Sequence, residues 1–268
     1  MTVLGSRAKA RQRSNFVWIV LGSLFIVSVF GALVYTKLNQ QPANDVKTMC
    51  PAGGPLGHIV LLVDKSDPLT FTQSKEFDVF YREVVTKRVP QGYLLSVYAL
   101  GDDFQQTADP IIELCNPGDG SGLSIVTGNP DRAFKEFQAR FVGPMLAKAP
   151  KLVTNKPGNA SPILEMIQLV GITGFRKNAV KGPRRLIIVS DMLHNTAEFS
   201  MYKGIPKFAD FLKTPYAARA SADLPGVEVE LQVYLHSPQI QKPELLIFWQ
   251  EYIFKANGKV TLFNPIKG

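Results

Sequence analysis

Hydrophobic positions along this chain fall into three kinds of run, and each predicts a different element. The longest is Phe16 to Tyr35, twenty consecutive uncharged and mostly apolar residues. As a helix, at about 1.5 Å per residue, it spans roughly 30 Å, the thickness of a bilayer core. Shorter apolar runs follow at His58–Val63, Tyr93–Leu100, Ile111–Cys115, Arg184–Val189, Val227–Leu235 and Val260–Phe263. Unbroken apolar character, rather than alternation, predicts strands covered on both faces. Between them lie segments with helical spacing. Phe71 to Val89 carries Phe77, Phe80, Tyr81, Val84 and Val85. Asn129-Pro130-Asp131 opens a helix as N-cap, first-turn proline and dipole-favouring acid, and Gly143-Pro144 is expected to kink or end it. Pro162–Val170, Pro206–Lys213 and Pro243–Ala256 are further helices, and Phe248, Trp249 and Tyr252 on the last read as core. Strands alternating with helices predict an α/β fold with a doubly wound, mostly parallel, Rossmann-like sheet.

Charge then orients the chain. Arg7, Lys9, Arg11 and Arg13 precede the apolar span, and no acidic residue occurs before Asp45. The positive-inside rule places a basic tail, 1–15, in the cytoplasm, and 16–35 reads as an uncleaved transmembrane signal anchor. A cleaved signal peptide fits less well, because the apolar run is too long and no small-x-small site ends it. Residues 36–57, rich in Gln, Pro, Asn and Gly, form a linker, and 58–268 are one domain on the periplasmic or extracellular side of the inner (plasma) membrane. The formal charge of +8 is concentrated at the N-terminus: residues 1–41 hold five of thirty basic residues and none of twenty-two acidic ones, leaving 25 minus 22, or +3. No basic and aromatic stripe points to nucleic acid. Both cysteines, Cys50 and Cys115, fall on the translocated side, where an even count favours a disulfide.

Candidate chemistry sits where strands end. Asp64-Lys65-Ser66-Asp67-Pro68-Leu69-Thr70 follows the first strand, Asn159-Ala160-Ser161 precedes a helix, and Ser190-Asp191 follows Leu186–Val189. Ligands of open α/β sheets collect at the carboxyl ends of strands. Carboxylate and hydroxyl oxygens with no His or Cys beside them in sequence suit a hard cation rather than zinc. Each residue also has a structural role open to it. Ser161 before Pro162 is a good helix cap, and Asp191 is placed to accept backbone N–H groups. Of three histidines, His58 begins a strand, His236 follows one, and His194 lies in the Asp191 loop, where a solvated ring is expected.

The ordered set of loops resembles a von Willebrand factor A (vWA) domain with a variant metal-ion-dependent adhesion site, over roughly residues 58–265. That family has a D-x-S-x-S loop after the first strand, a later Thr, and an Asp after the fourth strand. The resemblance implies Asp64, Ser66, Ser161 and Asp191 as ligands of Mg²⁺, or of Mn²⁺ or Ca²⁺, with an open position for a partner's carboxylate. Three positions depart from the pattern: Pro68 replaces the second Ser, Ser161 replaces the Thr, and Met192 stands where Gly usually follows the Asp. Asp67 and Thr70 are the substitutes at hand for the oxygen that Pro68 lacks.

These observations lead to an expectation of a non-enzymatic, membrane-anchored binding or scaffolding module that meets a protein partner through an acidic residue. The alternative is a tethered metal-dependent hydrolase of phosphorylated substrates. No G-x-S-x-G turn and no Walker A sequence are present, and Asp64-x-x-Asp67 is one residue too long for a haloacid-dehalogenase-type Asp-x-Asp loop.

Overall fold

The structure, a computed structural model, describes residues 4–38, 44–101, 109–124, 128–153 and 157–266, with side chains from Trp18 to Tyr35 in the first stretch. It divides into two compact units, 1–43 and 44–268. In the first unit, α1 (Leu4–Leu38) contains the expected apolar span, and its segment Trp18–Tyr35 is exposed, long and apolar enough to cross a membrane. The side chains of Arg7, Lys9, Arg11 and Arg13, and linker residues 39–43, lie outside the described residues.

The second unit is built on six strands: β1 (Gly57–Asp64), β2 (Tyr93–Leu100), β3 (Ile112–Cys115), β4 (Arg184–Ser190), β5 (Val227–Tyr234) and β6 (Lys259–Ile266). They form one sheet in the order β3-β2-β1-β4-β5-β6, parallel throughout except for the antiparallel β2–β3 pair. The unbroken apolar runs behave as expected, with alternate residues of β1 entering different cores. Val60 and Leu62 join one face, while Ile59, Leu61 and Val63 join the other. β6 runs on to Ile266 and includes Pro265, which an edge strand tolerates because one row of its backbone groups pairs with no further strand among the described residues.

Helices cover both faces. Phe77 and Tyr81 of α2 (Phe71–Glu83) and Phe137 of α3 (Pro130–Phe137) fill one core. The other is filled from α5 (Ile163–Leu169), α6 (Phe208–Phe211), α7 (Pro215–Arg219) and α8 (Pro243–Lys255), with Phe248, Trp249 and Tyr252 buried as their spacing implies. The chain does not stop at Gly143-Pro144. A π-helical turn, Gln138–Val142, precedes a short α4 (Gly143–Leu146) that carries it past the proline. Pro144 has no N–H to donate, and its ring would crowd the Arg140 carbonyl, so a widened turn just upstream relieves both problems. Similar π turns, Val84–Arg88 and Val170–Arg176, extend α2 and α5 beyond their regular parts.

Cys50 and Cys115 form the expected disulfide, tying the approach to β1 to the end of β3 across 65 residues of chain. Closing a loop of that length stabilises a fold by about 4 kcal/mol in the chain-entropy account.

Candidate functional site

The strand order reverses direction between β1 and β4: from β1 the chain builds outward to β2 and β3, and from β4 to β5 and β6. At that switch point the carboxyl ends of two neighbouring strands leave a crevice. Asp64 ends β1 and Ser190 ends β4, so both sit at its mouth.

The Asp64 carboxylate is the hub. Its Oδ1 accepts the Ser66 backbone N–H at 2.9 Å. Its Oδ2 accepts two hydroxyls, Ser161 Oγ at 2.7 Å and Ser190 Oγ at 2.9 Å. Three loops distant in sequence therefore converge on one side chain. Backbone bonds hold the loops together: Gly158 N donates to Ser66 O at 2.6 Å, and Ser161 exchanges a pair of bonds with Asn195. Ser161 is buried, and its hydroxyl goes to Asp64 rather than capping the next helix. The cap position of α5 is Pro162, which makes no side-chain cap bond. A hydroxyl that donates its proton to Asp64 keeps its oxygen lone pairs.

Asp191 is buried one residue beyond β4. Its Oδ1 accepts Leu193 N–H at 2.8 Å and its Oδ2 accepts Tyr202 O–H at 3.3 Å. Burial, and then the Asp64 charge, push its carboxyl up to about 8. Asp67 is raised for the same two reasons, with His236 opposing. A carboxyl raised by burial and by a neighbouring carboxylate is what a divalent cation would relieve.

The turn after Asp191 passes through a backbone conformation that favours glycine. Met192 has φ 61°, the left-handed region that costs a non-glycine residue about 1 kcal/mol or more. Three contacts hold it there. Met192 N–H donates to Ser190 Oγ at 2.9 Å, Trp249 Nε1 donates to Met192 O at 2.9 Å, and the side chain is buried in the core. Met192 thus holds a backbone conformation that glycine adopts readily.

The two substitutes for the oxygen missing at Pro68 separate. Thr70 serves a helix: its Oγ accepts Gln73 N–H, and Gln73 Oε1 accepts Thr70 N–H, a reciprocal capping box for α2. Asp67 instead turns to the crevice, where ligand atoms of Asp67, Asp191 and His236 lie within 4.8 Å of one another. Ser66 Oγ is buried and has no hydrogen-bond partner among the described residues. A buried hydroxyl on the loop that carries Asp64 and Asp67 is a group whose chemistry suits a hard divalent cation. Of the expected ligands, Asp64 and Ser161 are joined by a hydrogen bond, while Asp191 lies with Asp67 and His236 in a cluster of ligand atoms.

Sequence reasoning did not find Ser190 as a second hydroxyl on Asp64, nor His236, which lies 172 positions from Asp64. The only signal for either was its position just at or beyond a strand end. His194, expected in solvent, is fully buried. Its Nε2 is 2.8 Å from Tyr216 Oη, its Nδ1 accepts Leu164 N–H at 3.4 Å, and burial holds its pKa down at about 3.

No family model matches the chain, and no curated protein matches it. Among solved structures 26 chains match. One is the crystal structure of an aerotolerance-related membrane protein from Bacteroides fragilis NCTC 9343 with multiple mutations to serines, at 10% identity and a TM-score of 0.34, covering 80% of this chain and 92% of that one.

Proposed function

We propose that this protein is a membrane-anchored, extracytoplasmic protein-binding module of vWA type, in which a divalent cation bridges the crevice to a carboxylate of a partner protein. The observation that carries this reading is the convergence of Ser161 and Ser190 on Asp64 Oδ2 at the switch point, with Asp191 and Asp67 alongside. Asp64, Ser66, Ser161 and Asp191 are the assigned ligands, and Asp67 supplies the oxygen that Pro68 lacks. On the oxygen ligands alone the candidates are Mg²⁺, Mn²⁺ and Ca²⁺. When bound, the cation would offer an open position to an acidic side chain. The protein's own groups would hold that position rigid through the Asp64 hub.

Anchoring is supported by the exposed apolar segment Trp18–Tyr35. An N-terminus in the cytoplasm is supported by four early basic residues and no acid before Asp45. The Cys50–Cys115 disulfide favours an oxidising compartment for the second unit.

The test is calorimetry and thermal melting of the full chain in detergent micelles, with Mg²⁺, Mn²⁺ and Ca²⁺ compared against an Asp64→Ala/Asp191→Ala variant. The expected result is a cation-dependent rise in melting temperature in wild type only, as linkage requires for a ligand of the native state. A bead-bound acidic peptide library should then be retained in cation and released by chelator. A site that binds no ion at millimolar concentration, or a partner held equally well by the double variant, refutes the proposal. Metal-dependent turnover of a phosphate ester, lost in Asp64→Asn, would place the same residues in a hydrolase instead.

A further inference from the structure

His236 lies two residues beyond the end of β5, and its ring is fixed from two sides. It stacks on Tyr234 with centroids 6.0 Å apart and planes 8° from parallel. Its Nε2 is 2.9 Å from Gln73 Oε1. That amide oxygen also accepts Thr70 N–H at 3.1 Å, and a carbonyl-type oxygen only accepts. The proton of the neutral ring therefore sits on Nε2, and Nδ1 carries the lone pair. Gln73 is itself buried and locked by the capping box that starts α2, so this tautomer is set by the helix start. A ring nitrogen donating to an outer partner while the other faces carboxylates is how a protein prepares a metal-ligating histidine. Here Asp67 and Asp191 are the neighbouring carboxylates: one ligand atom from each of Asp67, Asp191 and His236 lies within 4.8 Å of the others. Ser66 Oγ, on the loop that joins Asp64 to Asp67, is more than nine-tenths buried and lacks a partner among the described residues.

We propose that His236 Nδ1 is a ligand of the crevice cation together with Asp67 and Asp191, and that the site therefore selects a first-row transition ion, Mn²⁺ or Zn²⁺, over Mg²⁺ and Ca²⁺. Imidazole nitrogen favours the transition ions, whereas a site made only of oxygens accepts the alkaline-earth ions as readily. This deepens the cation reading above and rests on it for the contribution of Asp64. The oxygen lost at Pro68 is then replaced by a carboxylate and a nitrogen, which changes the ion rather than disabling the site.

The experiment uses the full chain in detergent micelles. Mn²⁺, Zn²⁺, Mg²⁺ and Ca²⁺ are titrated separately by calorimetry into wild type, His236→Gln and Asp64→Ala, and the Mn²⁺-loaded forms are examined by electron spin-echo spectroscopy for nitrogen coupling. Wild type should bind Mn²⁺ and Zn²⁺ more tightly than Mg²⁺ and show coupling to one imidazole nitrogen. His236→Gln should lose that coupling and weaken Mn²⁺ and Zn²⁺ binding by about ten- to a hundredfold, with Mg²⁺ binding kept as evidence of an intact fold. Unchanged ion preference and unchanged coupling in His236→Gln would overturn the inference while leaving an oxygen-only cation site standing. Transition-ion binding that survives Asp64→Ala but not His236→Gln would support it and refute the Asp64-centred reading. If wild type binds none of the four ions, both fall.

Discussion

Replacing Ser161 by alanine decides whether this residue belongs to a site or merely starts a helix. Its hydroxyl donates to Asp64 Oδ2 at 2.7 Å from a buried position. A hydrogen bond to a charged group contributes about 1.5–3 kcal/mol net. Ser190 Oγ still donates to the same oxygen, so the carboxylate is not left bare, and a loss of about 2 kcal/mol is expected. For a unit the size of 44–268 that is a fall in melting temperature of about 4–8 °C. Loss of a helix cap alone would cost about 1 kcal/mol, too close to distinguish by size. The double-mutant cycle with Asp64→Ala separates the two accounts, because alanine leaves no acceptor for the Ser161 hydroxyl. Direct bonding predicts a coupling energy of about 1–3 kcal/mol, whereas capping predicts additivity within about 0.5 kcal/mol. Thermal unfolding of wild type, both single variants and the double variant, followed by circular dichroism in detergent and chelator, measures all four corners. Ser161→Thr keeps the hydroxyl and should lie close to wild type. An additive cycle would refute the assignment of Ser161 to the Asp64 hub, and with it the convergence on which the functional reading depends.

The pH dependence of stability has a component that belongs to His58. Burial holds this ring's pKa down at about 4, against 6.5 when exposed, so its contribution is complete above pH 6.5 and is lost as pH falls toward 4. His58→Gln should flatten the stability profile by about 1.4 kcal/mol per pH unit across that window, and parallel profiles for the two proteins would count against a neutral buried ring. Gly182 lies in the turn that leads into β4, where an added Cβ would stand 1.7 Å from the Leu56 carbonyl oxygen. Leu56 is itself bonded to Gly92, so the backbone has little room to retreat. Gly182→Ala should cost about 3 kcal/mol or more in the same melt, and a change under about 0.5 kcal/mol would show that this turn relaxes freely.

Much of this protein was legible from local pattern alone. The apolar span, the buried strands and the long helices follow from periodicity, because burial and backbone sterics act over a few residues at a time. The strand-end acids Asp64 and Asp191 were visible for the same reason, each following an unbroken apolar run. What the tertiary structure decided was partnership. Ser161 has a serviceable helix-cap sequence, yet its hydroxyl goes to a carboxylate 97 positions away. Asp67 and Thr70 were equal candidates in one loop until the helix start claimed Thr70 and left Asp67 facing Asp191. His236 was an isolated histidine until the parallel order of β1, β4 and β5 set its strand end beside theirs. Met192 looked like a departure that would spoil a glycine turn, but Trp249 and the core hold it in the left-handed region. The antiparallel β3 and the π turns were likewise invisible, since strand direction and helix re-spacing are settled by what packs across them. The sequence by itself determined which segments are strands and helices, and which helix is apolar and long enough to cross a membrane. The sheet order determined which side chains share a crevice, because Coulomb and hydrogen-bond forces act across a few ångströms of space and take no account of distance along the chain.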